Sequence, residues 1–247
     1  MTFDSADGFP QEPRGELGRN LTYGLLDYLG KAIVTGEFDE TPFPTEAVLS
    51  TRHGVSRSVT REAVKMLTAK GLVTARPRQG TSVQPTTNWN LFDQDVLRWL
   101  LERKFSPVLL AQFNQLRAAI EPAAAALAAS QADSGALQRI EAGFARMIAA
   151  ERGQDNALDA DIAFHLSVLR ASGNPFFEQF RDVVATALRT SIRFTNRIVG
   201  RTADIAAHGA VKNAIEARDP QGAHAAMAAI ITDVVAVIEA EAVATND

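Results

Sequence analysis

The stretch that decides the fold is Gly54-Val55-Ser56-Arg57-Ser58-Val59-Thr60-Arg61-Glu62-Ala63-Val64, a glycine turn that leads into a helix. The first turns of this helix carry Ser56, Arg57 and Arg61. Hydroxyl groups, arginines and the positive end of a helix dipole together suit a DNA backbone. The opposite face is apolar and predicts docking on a core; it consists of Val55, Val59, Ala63, Val64 and Leu67.

The surroundings of this helix are basic. Seven Lys or Arg residues lie between Ala47 and Pro85, against the single acid Glu62. The whole chain, in contrast, has a formal net charge of -4. A local positive excess of this kind indicates a module that binds a polyanion. The acidic total does not argue against DNA, because the phosphate-contacting surface is local.

The flanking sequence predicts a winged helix-turn-helix over residues 19–85, after a flexible N-terminus at 1–18. A stripe of Leu21, Leu25, Leu29 and Ile33 predicts a first helix, and Thr45 opens a short second one. After Gly71, two β-prone runs flank the basic turn at 76–80 and predict a hairpin. Three helices followed by a hairpin is the order of a winged helix-turn-helix.

The rest of the chain is predicted to be helical, so the fold class is mainly α. Residues 86–90 are interpreted as a linker and 91–247 as one helical domain. A good N-cap residue precedes proline at Ser106-Pro107, Asn174-Pro175 and Asp219-Pro220. With glycine stops, these joints predict about seven helices: 91–103, 107–130, 134–151, 154–172, 175–199, 202–218 and 220–243.

Composition also limits the chemistry and the cellular compartment of the protein. The 247 residues contain no cysteine, which excludes disulfide and thiolate chemistry and fits a reducing compartment. The sequence shows neither a signal-peptide pattern nor an uninterrupted apolar run of membrane length. We therefore expect a soluble, cytoplasmic protein without a membrane partner.

Several motifs resemble a known family. Pro44-Thr45-Glu46, VSRSVTREAV from Val55, Lys70-Gly71-Leu72-Val73 and Gln79-Gly80-Thr81 resemble the DNA-binding domain of GntR-type bacterial transcription regulators. Further stretches are similar to the helical FCD ligand domain of the FadR subfamily: 116–122, 161–165, 171–175, His208, 214–215 and Asp219. The stretch 88–99 also resembles the branch of galactonate operon repressors.

The resemblance implies which residues contact DNA. Ser56, Arg57 and Arg61 would touch phosphates and base edges in the major groove, where arginine takes guanine with two hydrogen bonds. The wing would reach an adjacent phosphate or the minor groove. The full predicted set is Thr45, Ser56, Arg57, Ser58, Arg61, Arg76, Arg78 and Gly80. Ala47 stands where some relatives carry arginine, so a contact from the preceding helix is in question. The alternative is that these arginines are merely solvated.

A second candidate site lies in the helical part. Asp161 and His165 are four residues apart and share a helical face. With His208 they can offer a divalent metal one carboxylate and two neutral imidazoles. The resemblance implies a fourth histidine on the last helix, but that position is Ile230, and His224 is nearly on the opposite face. Direct binding of a sugar acid without metal, and a purely structural polar network, remain alternatives.

Other polar residues are candidates for the effector. Arg117 resembles the family arginine that faces this site, where it would suit a carboxylate. An ion pair with Glu121, at i+4, is the alternative and does not exclude that role. Arg193 and Asn196, with Arg189, are chosen for polarity on an otherwise apolar helix, whereas Asn174 is assigned to helix capping. The predicted effector set is Arg117, Asp161, His165, Arg193, Asn196 and His208.

These features favour a ligand-responsive transcription regulator. The expectation is a homodimer that binds two half-sites of an operator and leaves it when a small organic acid binds. The resemblance points to a repressor of sugar-acid, galactonate-like catabolism genes. One alternative is a constitutive DNA-binding protein whose helical domain only dimerises. Another is a metal-dependent enzyme built on Asp161, His165 and His208, in which the metal would activate water.

Overall fold

The computed structural model describes residues 14–76, 80–103, 107–199 and 203–244, in two compact units, Met1–Arg103 and Lys104–Asp247. The first unit contains α1 (Arg14–Val34), α2 (Glu46–His53), α3 (Arg57–Ala69), β1 (Val73–Arg76), β2 (Gly80–Val83) and α4 (Gln94–Arg103). The second contains α5 (Pro107–Gln131), α6 (Ser134–Glu151), α7 (Ala157–Ala171), α8 (Pro175–Gln179), α9 (Arg181–Val199), α10 (Ile205–Glu216) and α11 (Pro220–Ala244). The mainly helical fold is confirmed.

The helix-turn-helix is built by two side-chain caps and one glycine. The Thr45 hydroxyl accepts a hydrogen bond from Val48 N and starts α2, and the Ser56 hydroxyl accepts one from Val59 N and starts α3. Gly54 adopts a left-handed conformation with φ 63°, which ends α2 and turns the chain. The apolar face of α3 is buried at Ala63 and Leu67, as its pattern predicts.

The wing is a two-stranded antiparallel hairpin. Val73 pairs with Val83, and Arg76 pairs with Gly80 at the end of the ladder. Val73 is buried, whereas Arg76 is exposed, so the hairpin is fixed at its base and projects at its tip. The turn 77–79 lies outside the described residues. The predicted order of three helices and a hairpin is confirmed.

The first helix begins earlier than predicted. Residues 14–18, assigned to a flexible N-terminus, form the start of α1. The remainder of that predicted segment, 1–13, lies outside the described residues. The predicted stripe begins at Leu21, so it carried no signal for the residues before it.

The helix after the predicted linker, α4, belongs to the first unit. The boundary between the two units therefore follows residue 103, whereas the prediction placed it at 86–90. In α4, the Trp99 side chain is fully buried against α1. Its indole Nε1 donates a hydrogen bond to Asp27 Oδ1 at 2.8 Å. A Cβ atom on Gly30 would lie only 2.3 Å from the Trp99 ring, so the missing side chain makes the space for the indole. Trp99 therefore packs in the core of the first unit, with α1 as its partner.

Ion pairs connect the start of α4 and the residues just before it to the end of α3. Lys70, the C-cap of α3, lies 2.8 Å from Asp93 and 2.9 Å from Asp95 through its Nζ atom. Arg98 Nη2 lies 3.0 Å from both Asp95 and Asp27. Residue 71 has to be glycine, because it has φ 77° and a Cβ there would lie 2.2 Å from Asn88 O. The predicted linker is therefore an ordered part of the first unit.

The helical unit has its core between α5, α6, α7, α10 and α11. The alanines of α5 let α11 pack closely along it, because Ala125, Ala128 and Ala129 are buried there. Pro122 is tolerated inside α5: the carbonyl it leaves unpaired belongs to Ala118, which is exposed. The alanine-rich part of α5 is thus a site of close helix packing.

Helix boundaries differ from the predicted ones where a cap was missed. The predicted helix 175–199 divides at Phe180 into α8 and α9. Helix α7 starts at residue 157 because the Asn156 side chain caps it, and α10 starts at 205 because Asp204 does. Asn174 caps α8 through Phe176 N, as predicted. The described residues of the second unit form seven helices, α5–α11, since α4 lies in the first unit.

Helix α11 is apolar. Its stretch Pro220–Ala240 has a mean hydropathy of 1.6, so length and composition alone would allow it to cross a membrane. Core helices of soluble proteins meet the same criterion. Ala223, Met227 and Ile231 of α11 lie in the core of the helical unit, which accounts for one apolar face of this helix.

Candidate functional site

The start of α3 presents a polar, exposed surface. Arg57, Ser58 and Arg61 are all exposed, and the Ser56 and Ser58 hydroxyl oxygens lie 2.8 Å apart. Ser56 uses its hydroxyl to cap the helix, with a distance of 3.3 Å to Val59 N. The cap leaves the other N-terminal amides of α3 directed at solvent, where an anion such as phosphate is favoured.

Arg61 is held by an acid of the neighbouring helix. Its Nε lies 3.5 Å from Glu46 Oε2, with both side chains well exposed. An exposed pair of this length contributes little to stability, so a phosphate or a base edge can replace Glu46. Arg76 and Gly80 in the wing are exposed as well, and so is Thr45 beside Glu46. Arg78 lies outside the described residues.

In the helical unit, the structure brings together the three residues predicted from sequence. Asp161 and His165 on α7 meet His208 of α10, and all three side chains are buried. Asp161 Oδ1 lies 3.3 Å from Nε2 of each histidine, and the two Nε2 atoms are 3.4 Å apart. Ligands about 2.1 Å from one tetrahedral ion lie about 3.4 Å from one another, so the spacing fits a metal.

The Nδ1 atoms of His165 and His208 already have hydrogen-bond partners. His208 Nδ1 lies 2.6 Å from the Asp204 carbonyl oxygen, which can only accept, and His165 Nδ1 lies 2.5 Å from Glu121 Oε2. Both Nε2 atoms therefore face inward. Within the described residues, the buried Asp161 Oδ1 has no hydrogen-bond partner. A buried carboxylate oxygen beside two imidazole nitrogens is the ligand set of a transition-metal site.

The charges in this site are strongly coupled. Burial would raise the pKa of Glu121, but Arg117 and His165 outweigh it and lower the pKa to about 2. Burial would also raise the pKa of Asp161, but the two histidines hold it well below its ordinary value. For His165, burial would lower the pKa, but Glu121 and Asp161 outweigh it and raise the pKa to about 9. Without a metal, Glu121 and Asp161 therefore favour the protonated form of His165.

Arg117 lies beside this group, buried in α5. Its Nε is 2.6 Å from Glu121 Oε1 and its Nη1 is 2.9 Å from Asn114 Oδ1. The ion pair considered from the sequence is thus present. Asn114 in turn donates to Ser191 Oγ on α9 at 2.9 Å. Because Glu121 occupies the Nε edge, an effector carboxylate would have to approach the outer edge of the guanidinium.

Other predicted residues do not join the group or cannot be judged. The side chains of Arg193 and Asn196 lie outside those that the structure describes. Arg189 is on the surface, where its Nη1 pairs with Asp159 Oδ1 at 3.1 Å. His224 is exposed, and Ile230 is half-buried against the apolar core, so neither replaces a fourth histidine.

Sequence reasoning missed the residues that orient the ligands. Glu121 was considered only as a partner of Arg117, although it also contacts His165 across helices. Asp204 gives His208 its backbone carbonyl, and an N-cap four residues before a histidine was an available signal. Asn114 and Ser191 carried no signal, because their contact depends on how α5 and α9 pack.

A winged helix-turn-helix joined to a helical unit with a buried polar site defines a ligand-responsive transcription regulator. Residues 24–83 match the family described as bacterial regulatory proteins of the gntR family, and residues 112–233 match the FCD domain. The chain belongs to the GntR family of bacterial transcription regulators, in its FadR-like group with an FCD domain.

Individual relatives agree with this assignment. The chain is 33% identical over 216 residues to the uncharacterized HTH-type transcriptional regulator YieP of Escherichia coli (strain K12), covering 86% of this chain and 93% of that protein. It is 35% identical over 171 residues to the galactonate operon transcriptional repressor of the same organism, covering 69% and 75%. A solved structure of Lar, which controls expression of the Listeria monocytogenes agr system, shares the fold with a TM-score of 0.51 and 19% identity, over 89% of this chain and 96% of that one.

Proposed function

We propose that this regulator represses genes of sugar-acid catabolism and leaves its operator when a galactonate-like acid binds to the helical unit. The similarity to a galactonate operon repressor over 171 residues supports the class of effector. The GntR and FCD domains are those of a DNA-binding regulator with an effector ligand, not of an enzyme. A regulator that acts on the chromosome would work in the cytoplasm.

For DNA, the proposed contacts are the predicted set around α3 and the wing. Every member that the structure describes is exposed, which is what supports the proposal. We propose that two copies of the chain bind two half-sites, because a two-fold symmetric protein matches a two-fold symmetric operator. Arg57 and Arg61 would read base edges, and the amides at the start of α3 would hold phosphate.

For the effector site, the main support comes from three atoms that lie close together: Asp161 Oδ1 and the Nε2 atoms of His165 and His208. We propose that these three residues hold a divalent transition metal. When bound, such a metal would coordinate the carboxylate and hydroxyl oxygens of a sugar acid. Arg117 would attract the acid through the outer edge of its guanidinium, in place of the contact that its Nη1 makes with Asn114 Oδ1.

The direct test is fluorescence anisotropy of an operator obtained by selection from random double-stranded DNA. Purified protein, loaded with Zn²⁺, is titrated onto the operator with galactonate, other aldonates or lactate. An aldonate should weaken operator binding, and EDTA should abolish its effect. An effect that resists EDTA would favour direct recognition without metal, and operator binding that no acid changes would favour a constitutive DNA-binding protein.

Two variants separate the two sites. His208→Gln should keep operator affinity but lose the response to the acid. Arg61→Ala should lose operator affinity but keep the thermal stabilisation by the acid, because ligand binding to the native state raises the melting temperature by mass action. If both variants lost both operator affinity and the response to the acid, the assignment of these two functions to separate units would be wrong.

A further inference from the structure

The Glu121 carboxylate is buried between two partners. It is 1% exposed, and its Oε1 lies 2.6 Å from Arg117 Nε. Its Oε2 lies 2.5 Å from His165 Nδ1 and 3.4 Å from Arg117 Nη2. One carboxylate on α5 therefore joins an arginine of its own helix to a histidine of α7.

The contact decides which way the His165 ring faces. A flip of an imidazole about its Cβ–Cγ bond exchanges the positions of nitrogen and carbon on both edges of the ring. A carboxylate that accepts the Nδ1–H favours one of the two orientations, the one that places Nε2 near Asp161 and His208. A metal-ligating histidine needs such a partner on its other nitrogen to be oriented for its ion.

The two histidines are oriented by different means. His208 is held by the backbone carbonyl of Asp204, which no side-chain substitution removes. His165 is held by a side chain, and that side chain is itself held by Arg117. The orientation of His165 is therefore the part of the site that a single substitution can change.

We infer that Glu121 is a positioning residue of the metal site: it orients His165 Nε2 toward the ion, and Arg117 holds Glu121 in place. The inference rests on the proposed function for the identity of the ligand as a divalent metal. It adds a residue outside the three metal ligands, and it gives Arg117 a second task besides attraction of the effector.

The first experiment compares Zn²⁺ affinity, measured by competition with a chromophoric chelator, in the full chain and its variants. Glu121→Gln should weaken Zn²⁺ binding by about 10- to 100-fold, the usual effect of losing such a partner. The matched control is Glu178→Gln, which breaks an Arg170–Glu178 pair with the same Nε–Oε1 arrangement at 3.1 Å, but on the surface. The control should bind Zn²⁺ like the unsubstituted protein, and equal binding by Glu121→Gln would overturn the inference.

A second variant separates positioning from charge balance. Glu121→Gln leaves the buried Arg117 without its counter-ion and can destabilise the fold for that reason alone. The double variant Arg117→Met/Glu121→Gln removes both charges. If Glu121 positions His165, the double variant should fold and still bind Zn²⁺ weakly. Recovery of full affinity would show that Glu121 only neutralises Arg117, and would overturn the inference.

Proton NMR of the metal-free protein gives a readout that does not need the ion. The His165 Nδ1–H should resonate far downfield and exchange slowly with solvent, because it is donated to a buried carboxylate. In Glu121→Gln this signal should move upfield or disappear, while the His208 Nδ1–H stays as an internal reference. An unchanged His165 signal would overturn the inference. Absence of Zn²⁺ binding by the unsubstituted protein would instead contradict the proposed metal, and the spectrum would still decide the role of Glu121.

Discussion

The Nε2 atoms of His165 and His208 lie 3.4 Å apart in the core of the helical unit, with Asp161 Oδ1 at 3.3 Å from each. Two unprotonated imidazole nitrogens at this distance repel one another unless a proton or a cation lies between them and the carboxylate. A proton and a metal ion therefore compete for the same position, so metal binding at this site depends on pH.

Metal affinity should rise with pH. Metal binding has to displace the proton that the carboxylates keep on His165, whose pKa is raised from 6.5 to about 9. Between these values the apparent Zn²⁺ affinity should increase by about tenfold per pH unit, because one proton is released per ion. Chelator competition at several pH values measures the slope. A flat profile would contradict protonation of His165 in the metal-free protein.

Stability without metal should change in the opposite direction. A histidine whose pKa is raised by folding stabilises the native state fully below pH 6.5, and the contribution is lost as pH rises through about 9. In EDTA, the melting temperature should therefore fall over this window more steeply for the unsubstituted protein than for His165→Gln. Equal slopes for the two proteins would show that His165 does not carry the effect.

Gly30→Ala should disrupt the DNA-binding unit. A methyl group there would lie 2.3 Å from the Trp99 ring and displace α4 from α1. We expect a loss of at least about 1–3 kcal/mol in the free energy of unfolding, as for overpacked cores, together with weaker operator binding. Urea denaturation followed by Trp fluorescence measures the first effect, and anisotropy the second.

Gly24→Ala is the matched control on the same helix. Nothing lies within 4 Å of a Cβ atom at that position, so alanine should be neutral or should stabilise the helix by about 0.5–1 kcal/mol. Similar destabilisation by both substitutions would mean that α1 tolerates no side chain at either glycine, and that the space for Trp99 is not the cause.

Arg61→Ala should weaken operator binding and reduce its dependence on salt. If Arg61 contacts a phosphate, the slope of log affinity against log salt concentration should fall by about 1. Loss of discrimination between operator variants, with the slope unchanged, would instead indicate a contact with a base. Arg146→Ala is the control, because Arg146 is in an exposed ion pair with Asp155 of the helical unit. An identical effect of both substitutions would contradict a specific role for Arg61.

The features that the sequence predicted are local ones. The caps at Thr45 and Asn174 were visible because each lies directly before the helix it starts. The helical face shared by Asp161 and His165 follows from their spacing, and the family resemblance supplied His208. In all these cases the physical cause lies within a few residues of the chain or within a known motif.

The features that the sequence did not predict depend on contacts between distant residues. The proximity of Trp99 to Asp27, 72 residues apart, decides that α4 belongs to the first unit. Glu121 and His165 are 44 residues apart, and only the packing of α5 on α7 makes the carboxylate a partner of the ring. Local pattern has no means to report either contact.

The packing of α4 on α1 also limits how this regulator can be divided. A fragment ending at residue 85 would keep every predicted DNA-contacting residue but would leave an open apolar slot above Gly30. The Lys70 ammonium and the Asp27 carboxylate would lose the partners that α4 and the segment before it supply. Truncation at residue 85 would thus yield a less stable fragment with exposed apolar surface. A fragment extended through residue 103 would retain the whole first unit.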